Sequence, residues 1–114
     1  MIVGVIGHRD LKEECVSYYE EQVYSLLIDL KRKHTDVVVY SLLADGADRM
    51  VVKAGTKLDI PFIVVLPVPK DKYITDFDDN SLKEFESLLN QAQEIIAMTL
   101  LLMGITYLTL VMHL

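Results

Sequence analysis

Three short apolar runs, residues 2–6, 37–40 and 62–66, fix what this chain can fold into. Each is rich in Val or Ile, and each is apolar at successive positions, so both faces of an extended chain are apolar. Such a strand must be covered on both sides, which is the pattern of a buried parallel strand. Gly7 ends the first run, and Pro67 and Pro69 stop the third. The second runs into a polar segment around Asp45 and Gly46. Between the runs the period changes. Val16, Tyr19, Val23, Leu26, Leu27 and Leu30 recur at spacings of three and four, with Glu13 and Glu14 early and Lys31, Arg32 and Lys33 late. Acids at the start and bases at the end suit the helix dipole, and the spacing predicts a helix over residues 13–33. Ala47, Val51, Ala54 and Leu58 mark a second helix, broken at Asp59-Ile60-Pro61. The order β-α-β-α-β at this spacing predicts a parallel sheet with right-handed crossovers.

Residues 67–80 read as a long polar connection. Ser81 and Glu84 have capping-box spacing, so Ser81 is the expected N-cap of a third helix. Leu82, Phe85, Leu88, Leu89, Ala92, Ile95 and Ile96 would form its inner face. The expected class is therefore α/β: a Rossmann-like three-layer α/β/α arrangement, built from β-α-β-α-β plus a third helix, with an incomplete C-terminal part. Residues 1–94 form the expected domain and residues 95–114 a hydrophobic tail.

Composition narrows the function classes. A length of 114 residues suits one small domain. Seventeen acids against 11 Lys and Arg give a formal charge of −6, a poor basis for broad nucleic-acid binding. Cys15 is the single cysteine, so an internal disulfide and Cys-rich zinc sites are excluded by count. No metal or cofactor is expected. The N-terminus lacks a basic segment before its apolar run and does not read as a secretory signal, so the expected location is the cytoplasm. Residues 95–112 carry no charged side chain, which reaches the minimum length of a membrane-spanning helix. No Lys or Arg flanks that stretch, and Thr106, Tyr107, Thr109 and Val111 favour a strand. Three readings of the tail stand: a membrane anchor, a segment completing the sheet beside the first strand, or a truncated end.

Ligands of open parallel sheets bind beyond the carboxyl ends of the strands. Three loops lie there: Gly7, His8, Arg9 and Asp10; Ala44, Asp45, Gly46, Ala47, Asp48 and Arg49; and residues 67–79. In the second loop, Gly46 permits a close backbone approach, and the helix that follows presents unpaired amides suited to a phosphate or carboxylate. The competing reading is a helix capped by Asp45. Arg9 suits bidentate pairing with an anion, or an ion pair with Asp10 or Asp48; His8 suits hydrogen bonding or proton transfer, or merely ends the strand. Asp45 and Asp48 read as capping groups or as paired carboxylates. Tyr73 and Phe77 either stack on a base or pin their loop to the core. His34 reads as solvated, and Cys15 as a packed thiol.

Taken together, Gly7-His8-Arg9-Asp10-Leu11, the Leu43 to Arg49 stretch, Leu58-Asp59-Ile60-Pro61 and the strand ending at Leu66-Pro67 resemble the SLOG superfamily of Rossmann-like nucleotide-binding domains. That superfamily includes the DNA-processing protein A (Smf) domain and the "lonely guy" phosphoribohydrolases. The likeness covers residues 1–97 and is nearest to the bacterial sensor-type subset. It implies a nucleotide-like ligand over the strand ends, with Gly46 and its neighbours at a phosphate or ribose and Gly7 to Arg9 as the adjacent wall. The Gly-rich segment with Thr and a catalytic Glu that the phosphoribohydrolases carry is absent. The expectation is a binding or sensing module without assigned catalytic residues. The alternatives are a nucleotide N-glycosidic hydrolase and a truncated domain without activity. A nucleotide-like small molecule is the expected partner; self-association and membrane association stay open.

Overall fold

The computed structural model describes residues 1–7, 10–97 and 109–113. Among the described residues five parallel strands form one sheet: β1 (Ile2–Ile6), β2 (Val38–Ser41), β3 (Phe62–Leu66), β4 (Glu94–Ala97) and β5 (Thr109–His113). Their order across the sheet is β4-β3-β2-β1-β5. The main helices are α1 (Glu13–Lys33), α2 (Ala47–Lys57) and α4 (Asp79–Gln91). A four-residue helix α3 (Lys70–Tyr73) and a 3-10 turn (Ile74–Asp76) lie between β3 and α4. This is an α/β Rossmann-like fold.

Strands β1 to β4 step in one direction across the sheet, so right-handed crossovers put α1, α2 and α4 on the same face. The core agrees. Val3, Val39, Phe62 and Val64 from the sheet join Val23, Leu27 and Leu30 of α1, Val51 and Val52 of α2, and Phe85, Leu88 and Leu89 of α4 in one cluster. Truncating a fully buried member such as Leu27 to Ala would cost about 2–5 kcal/mol. A second helical layer on the opposite face, expected of a three-layer arrangement, falls outside the described residues.

Three boundaries differ from the sequence reading, each for a physical reason. Asp78, not Ser81, caps α4: its Oδ1 accepts the Ser81 amide at 2.7 Å, which puts Ser81 at the third helical position. Helix α4 ends at Gln91, and Ile95 and Ile96 belong to β4 rather than to its inner face. Two β-branched residues beside β3 gain ladder bonds there, and Val64 pairs with Ile95 and Val65 with Ile96. The 67–80 connection contains α3 and the 3-10 turn. Residues on both sides of position 94 thus share one sheet.

Strand β5 lies beside β1 over its whole length, from Ile2 opposite Thr109 to Ile6 opposite His113. A tail segment therefore extends the sheet next to the first strand. No helix among the described residues is long and apolar enough to cross a membrane.

The end of α2 shows how the loops are set. Ile60 donates to the Gly55 carbonyl at 2.9 Å and Asp59 to the Thr56 carbonyl at 3.2 Å. Asp59 takes a left-handed φ of 58°. This is the Schellman arrangement, with Pro61 preventing further helix.

Candidate functional site

The turn from β2 into α2 is the most constrained part of the carboxyl edge. Among the described residues of that edge it holds the two with positive φ, Leu43 (φ 53°) and Gly46 (φ 85°). The Leu43 side chain is fully buried, and its amide donates to Ser41 Oγ at 2.9 Å. Its carbonyl accepts Arg49 Nε at 2.9 Å. Gly46 occupies the N-cap of α2 at ψ −124° and, as a glycine, supplies no capping side chain. The first-turn amides of α2 thus start at the strand ends without a cap from the N-cap side chain.

Arg49 turns inward rather than toward a ligand. It is 2% exposed. Its Nη1 donates at 3.0 Å to both the carbonyl and the hydroxyl oxygen of Ser81 and at 3.3 Å to Glu84 Oε1, and lies 3.0 Å from Asp45 Oδ1. The Ser81 hydroxyl donates to the same Asp45 oxygen at 2.7 Å. The guanidinium carbon sits 4.9 Å from the Phe77 ring centroid. Only Nη2, itself buried, lacks a hydrogen-bond partner. Arg49 is therefore a latch between the β2–α2 turn and the first turn of α4.

The carboxylates are similarly engaged. Asp48 is buried and Oδ2 accepts the Ala44 amide at 3.4 Å. Burial raises its pKa above the usual carboxylate value, while the Ala44 and Leu42 amides and the Arg49 charge pull it back part of the way. It organises the turn from within. Burial also pushes Glu84 upward, but hydrogen bonds and charge from Lys53 and Arg49 outweigh that, and the net shift is downward. Lys53 pairs with Glu84 from the neighbouring helix. Ser81 and Glu84, whose spacing predicts a capping box, instead both hold Arg49. Their sequence signal was real, but it pointed to a local partner.

Tyr73 and Phe77 pin their loop. The Tyr73 hydroxyl donates to the Leu42 carbonyl at 2.8 Å, and the Phe77 ring lies 5.2 Å from that of Phe85. Gly7 is exposed just after β1. His8 and Arg9 lie outside the described residues. Ala47 is buried and Ala44 half-buried. Among the described residues no group of His, Cys, Asp or Glu is placed to hold a metal ion.

A cavity of about 940 Å³ opens beside this turn. Asp45, Gly46 and Arg49 form part of its wall, and it continues between α1 and α2 past Met50 and Ala54. Comparison with protein-family models finds no match to the chain, and no curated protein matches it.

Proposed function

We propose that this chain binds a nucleotide or nucleotide-derived ligand, with an anionic group of the ligand on the first-turn amides of α2. The observation that carries this is Gly46: a left-handed residue at the uncapped N-terminus of an 11-residue helix, on the carboxyl edge of a parallel sheet. The adjoining cavity gives the rest of a ligand room. The resemblance of residues 1–97 to the SLOG superfamily supports the nucleotide class.

Arg49 is committed to Ser81, Glu84 and Asp45, so Arg9 is the better source of a full positive charge. Binding is favoured over N-glycosidic hydrolysis because Asp45, Asp48 and Glu84 all have structural partners. Calorimetric titration with nucleoside monophosphates tests the reading. Arg9→Ala should weaken binding by about 1.5–3 kcal/mol through loss of a charge-assisted bond. Asp45→Asn keeps the shape and removes a carboxylate beside the anion, so it should tighten binding several-fold. If no phosphorylated nucleoside binds, or neither variant changes affinity, the turn is only a helix start. Release of free base during the titration would instead favour the hydrolase.

A further inference from the structure

Helices α1 and α2 both leave the carboxyl edge of the parallel sheet, so they run in the same sense, and the cavity beside Gly46 follows them away from that edge. On α2, Met50 and Ala54 line it one and two turns beyond Gly46; on α1, Glu20, Glu21 and Tyr24 line it. Two helical turns are about 11 Å, which leaves room for a sugar and a ring beyond an anion held at Gly46. Tyr24 supplies an aromatic ring to this wall and is 37% exposed. Among the described residues its ring meets no other ring and its hydroxyl has no hydrogen-bond partner. Its Cα–Cβ bond tilts toward the start of α1, which is the Gly46 end of the cavity. Glu20 and Glu21 stand four and three positions before it, on the same side of the helix.

The charges of the wall fall into two groups. At the Gly46 end Asp45 and Glu84 are matched by Arg49, and Glu84 by Lys53 as well. Further along, Glu20 and Glu21 have no ion-pair partner among the described residues, and Lys57 in the last turn of α2 offsets only one of them. An acidic end of this kind repels a second phosphate. Its carboxylates only accept hydrogen bonds, so they favour a neutral group that carries N–H donors. A nucleobase with an exocyclic amino group meets both conditions and also presents a flat face to the ring. We propose that the base of the ligand stacks on Tyr24 with its amino edge toward Glu20 and Glu21. The proposal rests on the anion reading above and adds the residue that distinguishes a nucleotide from a bare sugar phosphate.

Calorimetric titration of the intact chain tests it with AMP and CMP, with their oxo counterparts IMP and UMP, and with ribose 5-phosphate, which keeps the anion and lacks the base. AMP should bind about tenfold more tightly than ribose 5-phosphate, and AMP and CMP several-fold more tightly than IMP and UMP. Tyr24→Ala should abolish the advantage of AMP and leave ribose 5-phosphate unchanged, whereas Tyr24→Phe, which keeps the ring, should bind like wild type. The chain contains no tryptophan, so Tyr24→Trp places a single indole in the wall. AMP should quench its fluorescence and ribose 5-phosphate should not. Circular dichroism verifies the fold of each variant. AMP binding equally to wild type and Tyr24→Ala, or leaving the indole unquenched, overturns the inference while the anion site stands. Equal affinity for amino and oxo bases overturns the placing of the amino edge at Glu20 and Glu21. Loss of every phosphorylated probe, ribose 5-phosphate included, removes the anion site and this inference with it.

Discussion

Replacing Arg49 tests the latch directly. In Arg49→Ala the buried Leu43 carbonyl loses its side-chain donor, a loss of about 1–3 kcal/mol for a buried polar group left unpaired. The stack on Phe77 adds about 1 kcal/mol. Asp45 and Glu84 also lose a counter-charge, but their side chains are 37% and 38% exposed and can rehydrate, so this part is small. The expected loss is about 3–4 kcal/mol, within the range for breaking a buried charge network and a large share of a small domain's stability. Arg49→Lys keeps the charge but not the planar fork that reaches Leu43 and Ser81 together, so it should recover less than half of that loss. Urea denaturation at neutral pH, followed by circular dichroism, measures both. A loss under about 1 kcal/mol for Arg49→Ala would refute the latch, because surface ion pairs alone account for that much. Arg49→Lys matching wild type would show that charge rather than geometry matters.

The two shifted carboxylates should respond to pH with opposite sign. Glu84 is held below its ordinary value of 4.5, so its contribution is present above that value and is lost as pH falls through the lowered pKa. The deficit of Glu84→Gln should therefore be seen at neutral pH and vanish in acid. Asp48 is raised above 3.8, so the native state favours its protonated form, and stability falls as pH rises through the raised pKa. Asp48→Asn should equal or exceed wild type at neutral pH and converge with it below 3.8; paired urea titrations across pH decide both. Gly55→Ala should stabilise by about 0.5–1 kcal/mol, because helical Gly is costly and the new Cβ meets Ile60 at an ordinary 3.6 Å. Gly46→Ala should destabilise by about 1–2 kcal/mol at its left-handed φ; equal melting temperatures for both variants and wild type would contradict these assignments.

The three central strands and their helices were legible because each signal is local. Residues 13–33 show helical period and dipole-matched ends, and the structure has α1 over Glu13–Lys33. Strand β4 was hidden because Ile95 and Ile96 continue the helical spacing of Leu88, Leu89 and Ala92. Only pairing with β3 breaks that period. The position of the β2–α2 turn at the sheet edge was also legible, from Gly46 following an apolar run. The direction of Arg49 was not. Its partners Ser81 and Glu84 lie 32 and 35 residues further along the chain, and their spacing has a sufficient local explanation as a helix cap. Long-range side-chain partnership leaves no period to read.

The pairing of β5 with β1 has a kinetic consequence. Strand β1 is made before β2, β3, β4 and β5, yet its neighbour β5 is the last of these to follow. Until that neighbour arrives, one flank of β1 presents unsatisfied amides and carbonyls from Ile2 to Ile6. Parallel pairing at such separation is slow to form, because loop closure precedes the reward of the contact. Until β5 is in place the chain thus carries an open strand edge, and its yield on refolding should fall steeply with protein concentration.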